Sequence, residues 1–204
     1  GARNFMNKIW NASRFVILNC EDKKISGIKD CKLSMADKWI ITKLNKIVRD
    51  VTVNMEKYEM GVALANLYDF VWTDFCDWYI ELTKPVLYGE DEKKCNDTVS
   101  VLTYVLGEIV KLLHPFIPFV TEKLFLEIYD EQSIMISEWP IAKYDFSADK
   151  DVFNVFEEII TKVRTLRNEY NVAPSKALDI ILETSNDKVL SDLKGIETYL
   201  VKSH

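Results

Sequence analysis

Histidine and glycine are scarce in this sequence of 204 residues, which contains two histidines and six glycines. It has no glycine-rich phosphate loop, no H-E-x-x-H motif and no G-x-S-x-G motif. These absences exclude the usual nucleotide-binding loop, zinc-protease helix and nucleophile elbow. The internal histidine, His114, precedes a proline at a predicted helix end, where histidine suits the free carbonyls and the helix dipole. The sequence therefore predicts no catalytic residue.

Cysteine pairs with the spacing of a metal site are absent as well. The four cysteines are irregularly spaced, and no C-x-x-C pair occurs. With so few histidines to complete a ligand set, the sequence predicts no metal site. Cys76 lies in an apolar helical run, which favours a core thiol over a nucleophile. Unpaired thiols are typical of a reducing compartment, so we expect a cytoplasmic protein.

Long apolar runs and excess positive charge are also missing. No run is long enough to span a bilayer, and no signal peptide opens the sequence. The formal net charge is −6. A protein whose whole surface grips nucleic acid is usually basic, so the composition argues against that role and leaves a local basic patch open. We expect a soluble protein without a membrane partner.

Apolar residues recur at helical spacing through most of the first 130 residues. The spacing predicts a first helix over residues 2–18, with Phe5, Ile9, Ala12 and Val16 on its apolar face. Ser34 and Asp37 resemble an N-cap with its acidic third residue and predict the start of a second helix. An aromatic-rich third helix is predicted to end at Pro85, because proline cannot continue the hydrogen-bond ladder.

The pattern changes after residue 130. Before it, Asp97 is the expected N-cap of a helix that ends near His114. After it, residues 133–140 have the composition of a short β-strand. A helix is predicted over 149–170, followed by a strand at 177–184 and a last helix. The predicted fold is mainly α: a helical bundle over residues 1–130, followed by a small α+β module over residues 131–204.

The first predicted helix has a polar face without acidic residues, since residues 1–19 contain no Asp or Glu. Helical spacing places four side chains on this face: Arg3, Asn7, Asn11 and Arg14. Lys8 lies beside the face, and Phe15 follows Asn11 by one turn. Arginine, asparagine and an aromatic ring suit an unstacked RNA base. The spacing alone leaves a second interpretation open, in which the polar residues are plain surface and Phe15 and Trp10 pack in the core.

A second basic stretch lies near the end of the helix predicted over 149–170. Arg164 and Arg167 are three residues apart and share a helical face. Glu157 and Glu158 precede them and offer local ion-pair partners, so a solvated face is the simpler interpretation.

Four segments in order, "ARNFMNKIWNASRF", "YDFVWTDFCDWYIELTKPVLY", "LLHPFIPFVTEKLF" and "SIMISEWP", resemble the anticodon-binding region of bacterial valyl-tRNA synthetases, which are class I aminoacyl-tRNA synthetases. The resemblance covers essentially the whole sequence. It implies a helical-bundle anticodon-binding domain with a small α+β extension. It also implies a catalytic domain before residue 1 and a coiled-coil arm after residue 204.

The resemblance further implies a parent enzyme that joins valine to tRNA(Val) with ATP and Mg²⁺, while this segment is itself non-catalytic and holds no cofactor. The partners implied are the anticodon loop of tRNA(Val) and the catalytic domain of the same chain, in a monomer. The residues expected to meet the anticodon are Asn11, Arg14 and Phe15. The candidate contacts to the tRNA backbone are Arg3, Asn7, Lys8, Arg164 and Arg167.

Two alternatives remain at this point. One is the same domain of an isoleucyl- or leucyl-tRNA synthetase. The other is a helical protein-interaction module without an RNA role, whose partner groove would be formed by the rings of the third helix: Phe70, Trp72, Phe75, Trp78 and Tyr79. Burial of these rings would favour the tRNA interpretation, whereas an exposed aromatic patch would favour a partner surface.

Overall fold

The computed structural model describes residues 2–129, 133–172, 181 and 183. These residues are mainly helical and contain no β-strand. The chain divides into two compact units, Gly1–Tyr144 and Asp145–His204. No helix among the described residues is both long enough and apolar enough to cross a membrane. The helical content of the described residues confirms the predicted helical bundle.

The helices of the first unit follow one another with short connections. In chain order they are α1 (Ala2–Cys20), α2 (Met35–Glu56), α3 (Met60–Asp69), a π-helical segment (Phe70–Tyr79), α4 (Ile80–Leu87), α5 (Glu92–Leu113) and α6 (Pro118–Ile128). Short 3₁₀ turns occur at Ile28–Asp30 and Ile134–Ile136. The second unit contains a 3₁₀ turn at Ser147–Asp149 and α7 (Lys150–Glu169).

Helix α5 is the central element of the first unit. Its residues are buried around most of its circumference, including Val99, Leu102, Leu106, Ile109 and Leu113 at 0% exposure. Helices α1, α2, α4 and α6 all pack against it. A helix that is apolar on nearly every side is stable only when neighbours cover it, because each square ångström of apolar surface removed from water contributes about 25 cal/mol.

The start of α2 has the predicted cap. The Ser34 hydroxyl accepts a hydrogen bond from the Asp37 backbone N–H at 3.1 Å, and the Asp37 carboxylate accepts one from the Ser34 N–H at 2.8 Å. The Tyr79 hydroxyl also donates to this carboxylate, at 2.6 Å. Burial raises the pKa of Asp37 above its usual value, although these donors oppose the shift. The cap thus ties α2 to the end of the π-helical segment.

The aromatic-rich helix differs from its prediction in two ways. Residues from Phe70 to Tyr79 are wound as a π-helix, and the Ile80 N–H bonds the Phe75 carbonyl five residues back. The helix also continues through Pro85 to Leu87, so the predicted end at this proline is wrong. Pro85 lies in the last turn of the helix, so it removes only one backbone donor. The final hydrogen bond of the helix runs from the Tyr88 N–H to the Lys84 carbonyl at 3.0 Å.

The predicted N-cap at Asp97 is wrong. Helix α5 begins at Glu92, and the N-cap is Asp91, whose side chain accepts from the Lys94 N–H at 3.0 Å. Asp97 lies inside the helix and is buried. Its carboxylate accepts a hydrogen bond from the Lys32 backbone N–H at 3.1 Å, so it holds the loop between α1 and α2 instead of a helix start.

The strand predicted within residues 133–140 is also wrong. The Ser133 hydroxyl accepts from the Met135 N–H at 3.1 Å and caps a 3₁₀ turn at Ile134–Ile136. This local bond competes with extended structure despite the β-prone residues.

Residues after this turn pack with the bundle. The Asn45 side chain donates to the Tyr144 carbonyl at 2.8 Å and accepts from the Lys143 N–H at 3.0 Å. The first compact unit therefore extends to Tyr144, beyond the division that the sequence places after residue 130. The domain assignment of residues 131–204 stays a prediction.

Helix α7 of the second unit agrees with the helix predicted over 149–170. The strand predicted at 177–184 lies outside the described residues except for Ile181 and Glu183, and the last predicted helix lies wholly outside them. The α+β character of the extension therefore stays a prediction.

Gly107 provides a test of the packing around α5. A Cβ atom added here would lie 2.7 Å from Cζ of Tyr129, whose ring packs on Phe125 with centroids 5.0 Å apart. Because the ring must move, we expect Gly107→Ala to lower the free energy of unfolding by about 1–3 kcal/mol. Gly61→Ala is the control, since nothing lies within 4 Å of its added Cβ. Urea unfolding of both variants measures the difference, and equal stability would contradict the packing described here.

Candidate nucleic-acid interface

Helix α1 packs on the bundle through its predicted apolar face. The exposed fractions are 6% for Phe5, 0% for Ile9, 8% for Ala12 and 1% for Val16. Ser13 is also buried, and its hydroxyl donates to the Ile9 carbonyl at 2.7 Å. The interior of the bundle thereby fixes which side chains α1 presents to solvent.

Four residues form an exposed line along the opposite side of the helix, here named the α1 ridge: Arg3, Asn7, Asn11 and Arg14. The predicted common face is therefore confirmed. Neither arginine is ion-paired with any residue that the structure describes. Their guanidinium groups present unmatched positive charge on a helix that lacks acidic residues.

A groove with a volume of about 610 Å³ runs between α1 and the wall made by the π-helical segment and α4, and is here named the α1 groove. Helix α1 contributes Asn4, Asn7, Lys8, Asn11 and Phe15 to it. The opposite wall contributes Trp72, Cys76, Asp77, Ile80, Glu81 and Lys84. The groove therefore combines aromatic rings, amides and charged groups of both signs.

Phe15 lies at the groove and is half-buried, so it is not a core residue. The ammonium of Lys84 lies 5.9 Å from the centre of its ring. The Phe15 backbone carbonyl accepts a hydrogen bond from the Asn19 amide at 2.8 Å. The ring thus has a firmly held backbone and a partly exposed surface, which are the properties of a stacking platform.

Lys8 is held inside the groove. Its ammonium forms an ion pair with the Asp77 carboxylate and lies 3.9 Å from the centre of the Trp72 ring. This cation–π contact and the ion pair join α1 to the π-helical segment. The positive charge of Lys8 is therefore already matched within the protein, unlike that of Arg14 on the α1 ridge.

The remaining charges of the groove are matched as well, since Lys84 forms an ion pair with Glu81 at 2.7 Å. Two lysines and two carboxylates leave the groove without net charge. Amide and carboxylate groups then dominate what it offers to a ligand, and these groups recognise polar edges by hydrogen bonding. A nucleobase edge suits such a surface better than a phosphate, which favours unmatched cations.

Trp10 lies on the other side of the α1 ridge. It is half-buried and lines a cavity of about 310 Å³ together with Arg14, Ile17, Leu18 and Glu127. The ammonium of Lys123 lies 5.1 Å from the centre of the tryptophan ring. Trp10 is therefore not among the fully buried core residues, and its contact with RNA stays a prediction. Arg14 therefore belongs to the side of the ridge that faces Trp10, whereas Phe15 lies on the side that faces the groove.

Arg164 and Arg167 lie on α7, in the second unit. Arg167 is half-buried, and the side chain of Arg164 lies outside what the structure describes. Their role as tRNA contacts stays a prediction.

The opposite wall of the groove escaped the sequence analysis. Asp77, Glu81 and Lys84 follow one another at spacings of four and three residues, which is a polar helical face within "FCDWYIELTKP". That spacing was the available signal. It was obscured because the aromatic residues of the same segment form the more prominent pattern.

Comparison with known families identifies the bundle. The family described as the anticodon-binding domain of tRNA ligase matches residues 37–182. The chain belongs to this family. The match begins at Asp37, so α1 with its ridge precedes the matched part of this anticodon-binding domain.

Individual relatives of this anticodon-binding domain extend the similarity to α1. The valine–tRNA ligase of Bacillus thuringiensis subsp. konkukian is 44% identical over 201 residues, which are 97% of this chain and 23% of the relative. Those of Clostridium tetani and Clostridium perfringens are each 47% identical, over 89% and 91% of this chain and 21% and 22% of their own lengths. The chain thus spans less than a quarter of the length of these relatives.

The described part of the domain contains no group of three or more His, Cys, Asp or Glu residues arranged to hold a metal ion. His114, which ends α5, contacts the Thr121 hydroxyl through Nδ1 at 2.8 Å and the Met135 sulfur through Nε2 at 3.0 Å. These contacts give it a structural role in joining α5 to α6 and to the following turn.

Cys76 allows a test of the groove wall. Burial raises the pKa of its thiol to about 12, and the nearby Lys8 only partly offsets this effect. At pH 8 about one thiol in ten thousand is then ionised, and the thiolate is the reactive form. We expect iodoacetamide to modify Cys76 much more slowly than the half-exposed Cys31 in the folded protein, and at a similar rate in urea. Peptide mass spectrometry measures both rates, and comparable labelling of the folded protein would contradict the burial of Cys76.

Proposed function

We propose that this chain is the anticodon-reading domain of a valine–tRNA ligase, which attaches valine to tRNA(Val). The observation that supports this most directly is the α1 ridge beside a groove with a half-exposed Phe15. It combines unmatched arginines, amides and an aromatic ring on one helix. The relatives described above carry the name of this activity.

The anticodon bases are recognised by three residues of α1. Phe15 stacks on a base that enters the α1 groove, and such stacking typically contributes about 1–3 kcal/mol. Asn11, which also lines the groove, uses its amide to read donors and acceptors on the base. Arg14, the ridge residue that faces away from the groove, binds a base edge or a phosphate. Valine anticodons share A in the middle position and C in the third, and these are the bases read.

Contacts to the tRNA backbone extend the site along the ridge. Arg3 and Asn7 lie on the same exposed face as Asn11 and are proposed to bind phosphates. Lys8 contributes less to phosphate binding than its position suggests, because Asp77 and Trp72 already hold its ammonium. Arg164 and Arg167 on α7 are proposed as further backbone contacts.

The complete protein is proposed to use ATP and Mg²⁺ in a catalytic domain of the same chain, to act in translation in the cytoplasm, and to be a monomer. This segment takes no direct part in the chemistry and positions the tRNA for it. Its contribution is binding energy from the anticodon, which is far from the reacting groups.

The alternative of a protein-interaction module is not supported by the aromatic helix. Phe70, Phe75 and Tyr79 are buried at 4%, 0% and 0% exposure. Trp72 and Trp78 are half-buried, and Trp72 lies under the ammonium of Lys8, so the five rings form no continuous exposed patch. Rings that pack in the core do not form a surface for a partner.

Phe15→Ala and Arg14→Ala test the proposed site in the full-length protein. Each removes a tRNA contact, so we expect kcat/KM for aminoacylation of tRNA(Val) to fall in both variants. For Phe15→Ala the expected decrease is about 5- to 150-fold, which is equivalent to the lost stacking energy. Valine-dependent ATP–pyrophosphate exchange should be nearly unchanged. The controls are Phe119→Ala and Arg49→Ala, which remove an exposed ring and an exposed arginine from α6 and α2. Normal charging by both α1 variants would exclude this site.

A charging assay separates the valine enzyme from its isoleucine and leucine counterparts. The full-length protein is offered valine, isoleucine or leucine, each with its own tRNA, at one salt concentration. We expect valine to be attached to tRNA(Val) at least 100-fold faster than isoleucine or leucine is attached to its own tRNA. The reason is that discrimination by the anticodon site and discrimination by the amino-acid site combine. Preferential charging with isoleucine or leucine would reject the valine assignment.

A further inference from the structure

We propose that Asp77 selects, within the α1 groove, a base that carries the amino group of adenine (at C6) or of cytosine (at C4). This inference rests on the proposed function, because it takes the groove as the place where an anticodon base enters. It adds a specificity-determining residue on the wall opposite α1, where the π-helical segment faces Asn11 and Phe15.

Asp77 presents a hydrogen-bond acceptor to the groove. Its Oδ1 oxygen binds the Lys8 ammonium, whereas Oδ2 has no hydrogen-bond partner among the residues that the structure describes. The side chain is 42% exposed and lines the groove. One carboxylate oxygen is thus engaged by the protein and the other is accessible to a ligand.

Lys8 holds this carboxylate in place. Its own side chain is 25% exposed, and its ammonium lies 3.9 Å above the centre of the Trp72 ring. A lysine fixed between an aromatic face and a carboxylate restricts the rotation of both groups. The acceptor is therefore oriented before a ligand arrives, which lowers the entropic cost of the hydrogen bond it makes.

The chemistry of a carboxylate distinguishes two classes of base. An ionised carboxylate only accepts hydrogen bonds. Adenine at C6 and cytosine at C4 each carry an amino group that can donate to it, whereas hypoxanthine and uracil carry a carbonyl oxygen at the corresponding position and would place two acceptors together there. The middle A and the third C of valine anticodons both belong to the amino class. A well-placed contact of this kind discriminates by about 10- to 100-fold.

Glu81 is the matched control. It lines the same groove four residues after Asp77, and its side chain is 53% exposed. Its Oε1 oxygen bonds Lys84 on the same helix at 2.7 Å, whereas Asp77 is paired across the groove with a residue of α1. Neutralising Glu81 changes the charge of the groove by the same amount without altering the Lys8–Asp77 pair.

The test measures RNA binding by the full-length protein and its Asp77→Asn, Asp77→Glu and Glu81→Gln variants. The probes are fluorescent valine anticodon stem-loops with the native bases, with inosine in place of the middle A, or with U in place of the third C. Each substitution exchanges an amino group for a carbonyl and keeps the ring size. Thermal unfolding of each variant is recorded alongside the dissociation constants.

We expect the wild-type protein and Glu81→Gln to prefer the amino-bearing base by about tenfold or more at one of the two positions. Asp77→Asn should bring that ratio close to one, because an amide can donate as well as accept. Asp77→Glu should retain a preference. The inference is overturned if Asp77→Asn keeps both ratios, or if the wild-type protein prefers the amino-bearing base at neither position.

Phe15→Ala separates this inference from the proposed function. Loss of affinity for every probe in Phe15→Ala, together with unchanged ratios in Asp77→Asn, would retain the anticodon site and reject only the role of Asp77. Native affinity in Phe15→Ala would instead reject the groove as the site of base binding, and the role of Asp77 with it.

Discussion

The burial of α5 is the constraint on which the rest of the bundle depends. A helix that is apolar on nearly all sides has to be covered by its neighbours, and α1 and α4 are two of the helices that cover it. Both walls of the α1 groove are therefore supported by the same central helix. The shape of the groove follows from core packing, and its chemistry follows from residues that the core leaves exposed.

Local patterns in the sequence were sufficient to predict α1 and the polar line along it. The spacing of Ile9, Ala12 and Val16 determines which face is buried, and the opposite face then contains Asn11 and Arg14 without further information. The cap formed by Ser34 and Asp37 was predictable for the same reason, because all its bonds lie within one helical turn. Helical spacing did not determine the burial of residues at the boundary between the buried and the exposed face of α1. Trp10 and Phe15 lie at this boundary, and both are half-buried.

Interactions between distant residues account for what the sequence did not predict. The partner of Lys8 is Asp77, and the partner of Asp97 is the backbone of Lys32, and neither pairing leaves a trace in the local spacing. The π-helical winding from Phe70 to Tyr79 also changes which side chains share a face, because each turn holds more residues than in an α-helix. The pairing across the groove was therefore missed, although the polar residues of its first wall had been placed on one helical face.

The matched charges of the groove and the unmatched charges of the ridge have a consequence for ionic strength. Arginines that neutralise phosphates release counterions, so their contribution to affinity falls steeply as salt is added. Lys8 and Lys84 are neutralised by carboxylates of the protein itself and release none. In the proposed site, salt therefore governs how tightly an RNA is held, whereas the choice between bases stays nearly constant. A site of this kind can lose most of its affinity in concentrated salt and still distinguish one anticodon from another.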